Sequence, residues 1–333
     1  MPLPTSSDVH VDSALTNISI AYVQAAGHFV ARRAFPNVPV SKQSDKYFTY
    51  DRGDFNRDEA AKRAPGTETA GSGFRIDSSP TYFCDIWGWH QDVPDQVVDN
   101  ADAPLNPLDD AAEFVMQKLM IRQEVEFAST YMTGGVWDND YDGVASSPST
   151  NETIYWSDNT NGDPITDIRT AKSTVLASTG FEPNTLIIGQ EVFDQLVDHS
   201  DIVDRVKYSG GVGNTNPAKV NEETLAALFG LSRVLISKAI KNTAKEGATA
   251  AHSFIIGKDA LLCYAAPSPS LMTPSAGYTF SWRNYLNTGN DLGIATSRIV
   301  MPALRSTRIE GEIAMDMKAV SVALGFFWDG IVA

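Results

Sequence analysis

Thiols are scarce in this 333-residue chain: Cys84 and Cys263 are the only two cysteines, far apart in sequence. Neither belongs to a CxxC pair, so a cysteine zinc site and a dithiol redox motif are excluded and a reduced birthplace is expected. There is no run of basic residues either. The 26 Lys and Arg stand against 41 Asp and Glu, for a formal net charge of -15. Affinity for phosphate backbones needs clustered cations, so sequence-specific nucleic-acid binding is disfavoured, while the charge favours solubility. The most apolar early segment, residues 18–31, is too short to span a bilayer and is broken by Gln24 and His28. No charged segment followed by an apolar one opens the chain, so a signal peptide is not expected. The histidines His10, His28, His90, His199 and His252 form no HxxxH or HExxH pair, and no GxSxG elbow occurs. No catalytic set and no cofactor is expected.

Regular structure is plentiful by contrast. Residues 13–33 carry Leu15, Ile18, Tyr22, Ala25 and Phe29 at steps of three and four, predicting an amphipathic helix in a terminal arm. Such a helix packs on its own core or on a neighbouring subunit. Residues 46–50 read as a strand and 74–93 as a returning strand with Tyr82, Phe83, Trp87 and Trp89. Between them lies a long polar tip bearing Arg52, Asp54, Arg57, Asp58, Glu59, Lys62 and Arg63. An extended hairpin with mixed charge at its tip suits reaching across to another subunit, where matched signs set register.

A long helix is expected over 107–132, with Pro107 at its first position and Asp109, Asp110 and Glu113 near its positive end. Phe114, Ile121, Val125, Ala128 and Met132 mark its core stripe, widened by Val115 and Leu119. Residues 183–245 then form a compact α/β block, preceded by a helix that Asp163 caps and Gly180 stops. Within it Asn221 caps a helix that Gly230 ends. The end of the chain alternates polar and apolar residues over 308–313 and again at Val320, Val322, Leu324 and Phe326, predicting strands that pair with the hairpin base or lie under the long helix.

One pattern suggests a metal. Asp138, Asp140, Asp142 and Gly143 match the first half of a calcium loop, but Ser149 stands where that loop needs a bidentate glutamate. The alternative is a solvated Asx-rich turn. The glycine-rich loop at 209–214 lacks the third glycine of a dinucleotide fingerprint and the Lys-Ser or Lys-Thr of a phosphate-binding loop.

The ordered set of segments 183–188, 192–196, 202–208, 224–230, 234–239, 278–282 and 309–322 resembles the major capsid proteins of tailed bacteriophages, which share the Hong Kong ninety-seven capsid fold. The likeness in layout covers nearly the whole chain. It implies an α+β fold with an N-arm over 1–40, an extended loop over 41–90, and a peripheral domain over 91–162 and 271–333 built on the spine helix 107–132. An axial α/β domain would span 163–270. The arm would contact neighbours through Leu15, Ile18, Tyr22 and Phe29, the extended loop through its charged tip. Lys207, Tyr208, Gly210, Gly211 and Asn214 would approach the capsomer axis.

The implied activity is assembly rather than catalysis: hexamers and pentamers closing an icosahedral head around double-stranded DNA, which is contacted non-specifically. Its partners would be further copies, a separate scaffolding protein, a portal and a decoration protein. The place would be the virion, assembled in the host cytoplasm. Some relatives crosslink an extended-loop lysine to an asparagine; Lys62 would be that lysine, but no asparagine follows Asn290. The alternative within the same fold is a cellular nanocompartment shell; an α/β enzyme is the rival of a different class.

Overall fold

The computed structural model describes residues 23–102, 105–209, 220–270, 272–283, 285 and 291–333. Two sheets and one long helix organise them. The first sheet is built around the 14-residue strand Ser306–Ala319. Asp85–Pro94 and Ile294–Met301 pair antiparallel along its first half, and Gly277–Trp282 pairs antiparallel along its second. Asn37–Val40 adds parallel to Gly277–Trp282. The alternation predicted at 308–313 is the middle of this strand.

The helix Pro107–Tyr131 packs on that sheet. Its buried side chains are Ala111, Val115, Gln117, Leu119, Gln123, Glu124, Phe127 and Tyr131. The spacing is mostly four, which advances about 40° per step around a helix of 3.6 residues per turn and follows the twist of the sheet below. Of the expected stripe Val115, Leu119 and Met132 are buried, whereas Phe114 is exposed and Ile121, Val125 and Ala128 are half-buried. Gly311 explains the choice of face. A β-carbon there would sit 2.7 Å from Val115 Cγ1 and 2.8 Å from Leu119 Cδ1. The strand gives up a side chain so that the helix can lie close.

The second sheet runs in the order Arg233–Ser237, Thr185–Gly189, Ala260–Cys263, Gly325–Asp329, Asn139–Val144, Glu152–Ile154. Both faces of its middle strands are covered, which is why 185–189 reads as an unbroken apolar run. Ile187, Leu235, Leu261 and Phe327 face the long helix and join the core containing Phe127, Tyr131 and Trp137. Leu186, Ile188, Leu262 and Trp328 face Ile168, Val175, Leu196 and Leu225 of the flanking helices. Those helices begin and end as their sequence predicts. Asp163 accepts from Thr166 N at 2.9 Å and Asn221 from Thr224 N at 2.8 Å, while Gly180 and Gly230 close them at φ +80° and +63°.

Residues 24–36 form a strap beside Arg233–Ser237 that ties the sheets together. The Gln24 amide exchanges two 2.8 Å hydrogen bonds with the Ile240 backbone, and Lys238 N donates to His28 O. Glu124, fully buried on the long helix, accepts from Val30 N, Ala31 N and Ser237 Oγ at 3.0, 2.9 and 2.7 Å. Phe35 packs its ring 4.6 Å from that of Tyr131.

Several expectations are corrected. The helix expected over 13–33 does not run through its described part. Ala26–His28 is a single 3-10 turn, Phe29 is extended, and only Ala31–Ala34 is helical, because the strap spends its backbone donors on Glu124 and its carbonyls on the core. Phe29 is buried within its own chain rather than offered to a neighbour. Leu15, Ile18 and Tyr22 lie outside the described residues. The calcium-like stretch is the strand Asn139–Val144, paired with Gly325–Asp329, and backbone extended in a ladder cannot wrap an ion. Among the described residues no group of three His, Cys, Asp or Glu could hold a metal. Val322–Leu324 is a 3-10 turn, and the final strand begins only at Gly325. The strands at 139–154 and 325–329, expected with the peripheral part, lie in the second sheet with the axial segments.

Candidate assembly surfaces

The informative surfaces are those the chain leaves uncovered. One of them is the hairpin. Ser44–Lys46 pairs with Thr81–Phe83 and Thr49–Tyr50 with Ile76–Asp77, confirming the predicted returning strand. Its base continues into Asp85–Pro94 and so into the first sheet.

The charged tip behaves differently from expectation. Residues 51–75 carry five acidic and five basic side chains, a net charge of zero on a chain of -15. Many of these charges are spent on one another. Asp54 accepts from Arg75 Nε and the Arg75 backbone, each at 3.0 Å, and from Arg57 at 3.4 Å. The Arg75 guanidinium holds the Asp54 carboxyl below its usual range and is itself held above its own. Arg75 also pairs with Asp51, and Arg57 with Glu59 at 3.0 Å. Arg63 donates to Thr67 O. Arg52, Asp58 and Lys62 are exposed.

What the hairpin offers outward is apolar. Phe48, Phe55, Phe74, Ile76 and Phe83 are each at least half exposed. Tyr50, Phe55 and Phe74 form a ring cluster with centroids 5.3 to 6.0 Å apart, clamped by the Asp54–Arg75 pair. Exposed aromatic clusters of this kind mark interaction surfaces. Charge drew attention to the tip, and the aromatic stripe was missed. Its signal was in the sequence, in Phe48 and Tyr50 at the end of one strand and Phe74 and Ile76 at the start of the other, with Tyr50 paired to Ile76. Under the hairpin an apolar crevice of about 410 Å³ runs between Phe48, Tyr50 and Phe55 and the body residues Phe181, Met272 and Tyr278.

The remaining sites divide. Lys207 and Tyr208 belong to the helix Ser200–Ser209 rather than to a loop, with Lys207 3.7 Å from Asp204. Gly210, Gly211 and Asn214 lie outside the described residues. The trio Asp138, Asp140 and Asp142 sits at one margin of the second sheet. Burial and the nearby Asp142 and Asp329 raise the Asp140 carboxyl, while Gly135 N donates to it. The thiols of Cys84 and Cys263 are buried, unpaired with each other and pushed up to about 12 by desolvation. No described helix is long and apolar enough to cross a membrane.

No family model matches the sequence. A major capsid protein of Pseudomonas phage JBD67 is 25% identical over 331 residues, covering 97% of both chains. Among solved structures, a phage-related protein from Bordetella bronchiseptica superposes with a TM-score of 0.67 at 20% identity, over 92% of this chain and 93% of the other. The capsid protein of cyanophage P-SCSP1u gives 0.61 at 12% identity, over 97% and 93%. An encapsulin from Synechococcus elongatus gives 0.56 at 10% identity, over 100% and 96%. The three structures share the fold, and the end-to-end sequence match points within it to phage. Over nearly its whole length the chain is similar in sequence to a phage major capsid protein, and its fold is the Hong Kong ninety-seven-like fold of capsid proteins.

Proposed function

We propose that this chain forms hexamers and pentamers that close an icosahedral head around double-stranded DNA. One observation carries the reading: the hairpin projects an aromatic stripe that its own body leaves half exposed, on a tip whose charges cancel. A neutral tip meets the acidic body of a second copy without long-range repulsion, and the rings supply the burial. The expectation gives the tip charges steering and register and the arm the burial; in this reading the hairpin's own rings add burial to it. In the same reading residues 1–40 act as the arm and 41–90 as the extended loop. The first sheet and long helix are the peripheral part, and the second sheet with its helices is the axial part. A scaffolding protein, portal and decoration protein would act on the assembled lattice, and the product would be the virion, put together in the host cytoplasm. A nanocompartment shell shares the fold, but the sequence relative favours the phage reading.

Electron microscopy of the purified chain tests this: closed shells, capsomers or tubes are expected, and a particle that stays monomeric under all conditions refutes it. Replacing Phe48, Phe55, Phe74 and Phe83 with serine should block assembly while leaving the melting temperature of the chain unchanged. Shells that form as before would clear the stripe of this role.

A further inference from the structure

The second sheet is electrically lopsided. At one margin lie Asn139–Val144 and Glu152–Ile154, the last two strands in its order. The segment 138–162 that forms this margin contains Asp138, Asp140, Asp142, Glu152 and Asp158 and not one Lys or Arg. Their hydrogen bonds go to uncharged donors: Gly135 N to Asp140, Ser149 N to Glu152, Thr160 N and the Asn161 amide to Asp158. Among the described residues none of the five makes an ion pair.

The opposite margin is Arg233–Ser237, flanked by the strap and followed by the small hairpin Ile240–Asn242 and His252–Phe254. Strap and hairpin are tied side by side through Gln24 and Ile240, and through His28 and Lys238. Residues 23–36 hold Arg32 and Arg33 and no acid; residues 237–252 hold Lys238, Lys241 and Lys245 against Glu246 alone. Lys238 is 3.6 Å from Glu222. Arg32 bonds to the Gln123 amide and Arg33 to Gly27 O, and neither makes a close ion pair among the described residues, although Arg33 acts at longer range on Glu124. Lys241 and Lys245 make no ion pair among the described residues. A basic margin on a chain of -15 therefore faces away from an acidic one, across six strands or about 24 Å at the usual strand spacing.

We infer that the basic margin of one copy docks on the acidic margin of the next, so that axial parts pack head to tail around a ring. The inference rests on the assembly reading above and adds the contact within it. The two margins are opposite edges of the sheet and face apart, so one edge-to-edge contact cannot be reciprocal about a two-fold. They make a heterologous one, which closes into a ring when the rotation permits. A second copy fits better than nucleic acid as the occupant. The two charge sets are complementary within one chain, and the acidic set has no use against phosphate.

The test is a charge swap in the full chain. One variant carries Arg33→Glu, Lys241→Glu and Lys245→Glu; another carries Asp138→Lys, Asp142→Lys and Glu152→Lys. Assembly is followed by sedimentation velocity and electron microscopy in about 0.1 M salt, where charges within some 10 Å still interact. Thermal melts first check that each variant is folded. Each variant alone should need at least about tenfold more protein to assemble than the parent chain. An equimolar mixture should recover six-membered rings, because alternating copies restore opposite signs at each of their contacts, and the sixfold-reversed chain should recover rings of either size. Variants that assemble at the parent concentration overturn the inference, as does a mixture no better than its components. If a triple reversal fails to fold, the sixfold chain and the single changes Lys241→Glu and Asp142→Lys decide by the same readout. A parent chain that never assembles defeats the proposed function itself and takes this contact with it.

Discussion

Glu124 is the residue whose replacement should reveal most about how this fold is held. Its carboxylate is fully buried on the long helix and serves three donors from two other parts of the chain, Val30 N, Ala31 N and Ser237 Oγ. Glu124→Ala leaves all three buried groups without a partner. At about 1–3 kcal/mol for each such group, the loss should be about 3–9 kcal/mol. That is a large share of the roughly 5–15 kcal/mol available to a domain of ordinary stability. Glu124→Gln should behave differently. The amide oxygen can accept from both backbone groups while its NH₂ donates to Ser237 Oγ, so the contacts survive and a buried charge is removed.

Burial raises the Glu124 carboxyl above its usual value, against the pull of those same donors. A raised folded-state value means that the glutamate's contribution is full below its unfolded pKa and is lost as pH rises through the folded one. The stability of Glu124→Gln relative to the parent should therefore grow from pH 4 to pH 8. Urea melts at those two pH values and one between them read both effects. A loss below about 1 kcal/mol in the alanine variant, or a glutamine variant as damaged as the alanine one, refutes the reasoning.

Other outcomes follow from single sites. Desolvation, chiefly, together with Asp329 and Glu191, pushes the Asp259 carboxyl up to about 6, while Gly330 N donates to it at 3.0 Å. Its stabilising contribution should be full near pH 4 and lost through pH 6, so Asp259→Asn should melt higher than the parent at pH 8 and alike at pH 4, by up to about 3 kcal/mol at 1.36 per pKa unit. Gly325→Ala should cost about 1–3 kcal/mol in a urea melt, because its β-carbon would sit 2.6 Å from Trp137 Cδ2, and that indole is fixed by its own bond to Tyr131 O. Cys84 and Cys263 should resist a thiol reagent in the native chain and both react after denaturation; fast labelling of either in native protein would contradict their burial.

Local chemistry made much of this architecture legible. Pro107, Asp163, Asn221, Gly180 and Gly230 act through their own backbone neighbours, so the helices they bound could be read directly. The hairpin was legible because its two strands are close in sequence. What escaped depended on distant partners. The long helix buries the Val115 and Leu119 side of the expected stripe rather than Phe114 because Gly311, distant in sequence, makes room for it. Residues 24–36 give up helix for a strap because Glu124 and Ser237 receive them. Asp138, Asp140 and Asp142 imitate an ion-binding loop, yet Gly325–Asp329 draws that stretch into a ladder. The aromatic stripe was visible as residues, but the exposure that gives it meaning is a property of the folded surface.

The position of Gly325–Asp329 has a consequence in time. This strand lies between Ala260–Cys263 and Asn139–Val144 and is the last of the described strands to leave the ribosome. Until it arrives, the acidic margin has nothing to join, and the sheet exists as two unconnected pieces. Synthesis at about 5–20 residues per second leaves the early strands waiting on the order of ten seconds or more. A nascent chain therefore cannot present both margins of a finished sheet. Newly made copies should become competent to meet one another only once nearly all of the sequence described here has been translated.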